Sequence, residues 1–115
     1  MGDVVLTQKQ VVAAGLTPAY QSIDATDTYY VNNKGSVFLH FLNVGGSPSV
    51  VTFDTEQQVD GLDLENPTVT VPATTGDKMV GPFPASWEVA TGAQAGRIKF
   101  TQDQASNVTV QATRV

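Results

Sequence analysis

Apolar side chains recur at every second position in short runs along this chain, and almost nowhere at the spacing of a helix. A period of two sends successive side chains to opposite faces of an extended backbone, so each run can bury one face and wet the other. Valine and threonine fill most of the runs, and branching at Cβ suits a pleated surface better than a helix. Glycine, proline and asparagine stand between the runs and supply the turns. Strands are predicted over residues 19–23, 28–31, 36–44, 49–54, 68–71, 78–80, 96–101 and 107–113. A weak strand or ordered loop is predicted over 59–64, and a brief edge over 87–89. Roughly seven to nine short strands at that spacing describe an all-β fold, an antiparallel β-sandwich or a closed barrel.

The run SVFLHFLNV, residues 36–44, is the most apolar. Val37, Leu39 and Phe41 share one face, and Phe38, His40 and Leu42 share the other. With both faces covered it reads as a central strand, with core beneath and a subunit or a loop above. Gly45-Gly46-Ser47-Pro48 is a hairpin-type connection, and residues 73–77 join two strands expected to pair. Residues 102–106 have a length suited to a hairpin loop before the last strand. At the other end, residues 8–16 admit one or two helical turns before Gly15, or else a flexible or docked arm. Val4, Val5, Leu6, Val11 and Val12 have no obvious face within the chain to cover them. The expected organisation is an N-terminal arm over residues 1–16 and a single β-sandwich domain over 17–115.

A chain of 115 residues is long enough for one core, since a domain of that size buries roughly two-thirds of its unfolded surface. Charged residues are only 15% of the sequence, against about 25% in an ordinary domain. Threonine, serine, glutamine and asparagine take their place, which suits a surface that packs against other subunits. Net charge is −5 and only six residues are Lys or Arg, too few and too scattered for a phosphate-binding surface, so no nucleic acid is expected as partner. There is no cysteine, which removes disulfides and thiolate metal sites. The start MGDVVLTQKQVVAAGL has no basic opening and an apolar run broken by Thr7, Gln8, Lys9 and Gln10. Neither a secretory signal nor a membrane span is expected, and folding in a cytosol is the expectation.

Few residues are arranged for chemistry. His40 is the single histidine, in the middle of the most apolar strand, where local hydrogen bonding is a simpler role than a Ser-His-Asp relay. The acidic segment DTEQQVDGLDLE brings Asp54, Glu56, Asp60, Asp63 and Glu65 together, but at no EF-hand spacing, and a solvated acidic edge is the simpler reading. Tyr29, Tyr30 and Trp87 could stack on a sugar, which makes a carbohydrate-binding β-sandwich the competing class. No catalytic residue, cofactor or metal is expected.

The run VDGLDLENPTVTVPATTGDKMVGPFP, residues 59–84, resembles small virion proteins of tailed bacteriophages. In those a Val-Asp-Gly-Leu segment precedes a Thr-Val-Thr-Val-Pro-Ala strand, a glycine turn and Gly-Pro-Phe-Pro. FLHFLNVGGSPSVVTFDT and the closing NVTVQATRV are similar to strands of the same family, so the likeness covers roughly residues 17–115, while Lys78-Met79 and residues 102–106 depart from it. The resemblance implies a non-catalytic head decoration (cement) protein on the capsid surface of the virion. Its implied partners are the major capsid protein and further copies of itself, a homotrimer among the arrangements such proteins take. On that reading the arm, through Val4, Val5, Leu6, Val11 and Val12, reaches over a neighbour, and Phe83 and Trp87 anchor a lateral or capsid contact.

Overall fold

The alternation in the sequence becomes two β-sheets packed face to face. The computed structural model describes residues 2–17, 19–34, 36–55, 58–63, 65–90 and 92–114. In chain order the strands are β1 (Asp3–Val5), β2 (Gln8–Gln10), β3 (Gln21–Ile23), β4 (Thr28–Asn32), β5 (Val37–Asn43) and β6 (Ser49–Phe53). They continue as β7 (Gln58–Val59), β8 (Leu62–Asp63), β9 (Thr68–Val71), β10 (Gly76–Val80), β11 (Arg97–Gln102) and β12 (Val108–Arg114). The first sheet runs β1-β4-β11-β6-β9 and the second β10-β5-β12-β2, with β3 also on β12. Pro18 and Gly35, read as a strand start and a turn residue, lie outside the described residues.

Strict alternation of buried and half-buried positions along β5, β6 and β11 fills the space between the sheets. Val37, Leu39 and Phe41 of β5 meet Val51 and Phe53 of β6, Ile98 and Phe100 of β11, and Val108, Val110 and Ala112 of β12 in one core. Phe100 is its hub, with its ring 5.6–5.8 Å from those of Tyr29, Phe41 and Phe53. Those spacings fall in the range where aromatic pairs attract beyond their area burial.

The expected hairpins are arches instead. Residues 44–48 leave β5 in one sheet for β6 in the other, residues 72–75 carry β9 to β10 across the sandwich, and residues 103–107 do the same for β11 and β12. The cause is visible where strands end inside the core on a buried amide. Asn43 donates from Nδ2 to Ser47 O at 2.9 Å and accepts from Gly45 N–H at 2.9 Å. Gln102 accepts from Ser49 Oγ at 2.8 Å and from Gln104 N–H at 2.7 Å, and donates to Gln104 O at 2.5 Å. Each amide is itself buried, and its bonds to the start of the arch satisfy polar atoms that would be costly left unpaired there.

Of the two readings of the N-terminal segment, the docked one describes residues 2–10 and the helical one does not. Residues 8–10 form a strand, not helical turns, and the segment is built into the sandwich. β1 pairs in parallel with β4 of the first sheet and β2 pairs in parallel with β12 of the second. Leu6 sits at the crossing between them, 4% exposed, with its N–H on Tyr30 O at 2.8 Å. The sheets are therefore mixed, and the sandwich has open edges where a closed barrel would have none.

Candidate functional site

The outer face of the second sheet carries the most developed constellation of polar side chains. Along β5 the outward positions are Phe38, His40 and Leu42, all half-buried, followed by Val44 just past the strand, 73% exposed. In the β10 register Met79 lies opposite His40, and in the β12 register Gln111 lies opposite it on the other side. Met79 is 67% exposed. The result is an apolar stripe with one imidazole at its centre.

Tyr20 reaches that imidazole from the segment before β3. Its ring packs edge-on to His40 with centroids 5.5 Å apart, and its hydroxyl lies 2.7 Å from His40 Nδ1. On the opposite side His40 Nε2 lies 2.5 Å from Asp77 Oδ1. An ionised carboxylate can only accept, so the Nε2 proton belongs on the Asp77 side, and in the neutral ring Nδ1 accepts from the tyrosine hydroxyl. Both ring nitrogens are thereby engaged, Nδ1 by a phenol and Nε2 by a carboxylate, where a Ser-His-Asp relay would set a serine hydroxyl in place of the phenol. Gln111 is only 6% exposed although it faces outward, because the segment before β3 folds over it. Its Oε1 accepts from Ala19 N–H at 3.1 Å and its Nε2 donates to Thr113 Oγ1 at 2.9 Å. The sequence marks His40; its partners, 20 and 37 positions away, carry no sequence signal that links them to it.

The residues expected to form contacts divide. Val5, Val11 and Val12 are 43%, 48% and 51% exposed and remain free to meet a partner. Leu6 and Phe83 are buried, and Val4 and Trp87 pack against the core, so the view that Val4 and Leu6 lack an intramolecular face is corrected. Their cover is the parallel pairing of β1 and β2, which brings both sheets over them. Phe83 and Trp87 form an aromatic lid, with rings 5.8 Å apart and 5.4 and 5.6 Å from Phe53. Asn33 pins the lid by donating to Phe83 O at 3.2 Å and Glu88 Oε2 at 2.8 Å, with Trp87 at the end of a short 3-10 turn, Ala85–Trp87.

The rings nominated for sugar stacking are likewise occupied. Tyr29 and Tyr30 are buried, and the Tyr29 hydroxyl accepts from Asp24 N–H at 2.9 Å. Burial, its largest cause, raises the Tyr29 phenol above its ordinary 10.0. In the acidic segment, Asp54 pairs with Lys99 at 3.2 Å, while Glu56 and Leu64 lie outside the described residues. Asp60 and Gly61, with φ of 53° and 80°, form the two-residue turn of the β7–β8 hairpin. An Asp-Gly pair between apolar residues is the hairpin signal that would have assigned this segment. Among the described residues no three His, Asp or Glu side chains are placed to hold a metal ion.

No family model matches this chain, and neither a curated protein nor a solved structure matches it.

Proposed function

We propose that this protein is a non-catalytic decoration (cement) protein of a tailed bacteriophage virion, binding the outer surface of the head and bridging major capsid subunits. The observation that carries the reading is the outer face of β5 and β10, where Phe38, Leu42, Val44 and Met79 line up half-exposed or exposed around an imidazole whose nitrogens are already engaged. A face of that kind gains free energy by being covered, about 25 cal/mol for each Å² of apolar surface removed from water, less the cost of ordering both partners. The resemblance of residues 59–84 to small virion proteins of tailed bacteriophages supports a capsid as the cover. Binding the assembled shell in preference to free subunits would then stabilise the shell by mass action, with no active-site residue. Homo-oligomers on the lattice would multiply modest contacts.

Co-sedimentation with heads lacking the protein tests the reading, followed by electron cryo-microscopy of the decorated particles. Saturable binding, added surface density and resistance of the heads to disruption are expected. Absence of binding at saturating protein, or binding abolished by free sugars, overturns it.

A further inference from the structure

An open sheet edge offers unpaired backbone N–H and C=O groups to another strand, and soluble proteins guard such edges with charge, brevity or proline. β1 carries Asp3, β2 carries Lys9, and β10 carries Asp77 and Lys78. Lys78 lies opposite Phe41 in register, on the core side of its strand, so a strand docking on β10 would have to bury an inward-pointing charge. β3 is three residues long. β9 is different: Thr68-Val69-Thr70-Val71 has Pro67 and Pro72 at its two ends but within the strand is uncharged, β-branched throughout, and terminal in its sheet. Phe53 N–H donates to Pro67 O, so along the antiparallel ladder Val69 and Val71 are turned towards β6. Thr68 and Thr70 therefore direct their N–H and C=O groups outward.

We propose that β9 is a docking edge for a second copy of this chain, paired antiparallel about Val69. A two-fold axis at that point sets Thr68 of one copy against Thr70 of the other, twice, and each pair uses the outward backbone groups. Val69 meets its counterpart on the core side, and cross-strand threonine pairs are among the favourable ones. The register opposes no like charges, since Glu65 would meet Ala73. The same operation centred on Lys78 in β10 would set that lysine against itself. This pairing is independent of the capsid reading and stands or falls apart from it.

Sedimentation velocity on the full chain over a concentration series tests the pairing. Wild type is expected to move from the 12.1 kDa monomer towards twice that mass as concentration rises. T68K/T70K places lysines against one another across the junction and should give monomer at every concentration. T68K/T70E places each lysine against a glutamate and should restore the dimer. Both side chains are exposed, so both variants should melt within a few degrees of wild type. Should T68K/T70K fail to fold, Thr70→Pro removes one outward N–H at an edge that tolerates proline, and should also abolish the dimer. A wild type that stays monomeric, a wild type that forms trimers, or a dimer that survives T68K/T70K or Thr70→Pro overturns the proposal.

Discussion

Tyr29 shows how one side chain can serve packing and polar satisfaction together. Its ring stacks on Phe100 at 5.6 Å, while its hydroxyl accepts from the Asp24 N–H and so closes the turn that leads into β4. Asp24 holds the other half of that turn, accepting from Thr26 N–H at 2.7 Å and Thr26 Oγ1 at 2.6 Å. These bonds, the side-chain one first, lower the Asp24 carboxyl below its usual 3.8. Burial moves the Tyr29 phenol the other way, above 10.0, because the phenolate is harder to form inside the fold than in the unfolded chain. A raised folded value means the contribution is complete below pH 10 and is lost as pH climbs through the folded value. Urea unfolding at a series of alkaline pH values should therefore show wild type losing stability more steeply above pH 10 than Tyr29→Phe does. Parallel slopes for the two proteins would contradict this.

Among the elements, the arches and the N-terminal crossing do the most to set the architecture. Gly76 opens β10 directly after an arch, and a Cβ there would lie 1.9 Å from Pro72 O and 2.9 Å from the Val71 Cγ1. Backbone has to move to admit it, so Gly76→Ala should destabilise by about 1–3 kcal/mol, the usual range for overpacking. Gly46, with nothing within 4 Å of its Cβ position, is the control, and Gly46→Ala should be neutral or gain about 0.4–1 kcal/mol through the unfolded chain. At the crossing, Leu6→Ala should cost about 2–5 kcal/mol in urea midpoint terms, whereas exposed Val12→Ala should stay within about 0.5 kcal/mol. Strand existence was legible because alternation along residues such as 37–43 survives any choice of partner. Strand partners were not legible, because a Gly-Gly-Ser-Pro connection fits a hairpin as well as an arch. Only the burial of Asn43 and Gln102 distinguishes the two, and burial is a property of the finished sandwich. For the same reason Leu6 read as an unpartnered residue, since its cover comes from β1 and β2 pairing with strands far along the chain. His40 was visible as the single histidine, while Tyr20 and Asp77 become its neighbours only once β5 lies beside β10 and the segment before β3 folds across Gln111.

At the scale of the whole molecule, the distribution of apolar surface decides where a large partner can sit. Most of the exposed large apolar side chains fall into two groups, Val5, Val11 and Val12 near the N-terminus and Val44 and Met79 on the outer face of the second sheet, while Leu62 of the β7–β8 hairpin is 74% exposed in neither group. A capsid contact through the second group makes a different demand from one through the arm. Burying a valine or methionine side chain is worth about 1.5–3 kcal/mol, and forcing a carboxylate into the same contact without a partner costs more. With tenfold in affinity for each 1.4 kcal/mol or so, Met79→Asp should weaken binding to undecorated heads by at least about tenfold. Val12→Asp adds the same charge at a similarly exposed site, so any effect of net charge on approach to the shell is common to both variants. Binding isotherms on heads, read beside thermal melts showing both variants folded, separate the two surfaces. Loss with Met79→Asp and near-wild-type binding with Val12→Asp is the expected outcome. The reverse would move the contact to the N-terminal segment, and equal, full binding by both would remove both surfaces as docking sites.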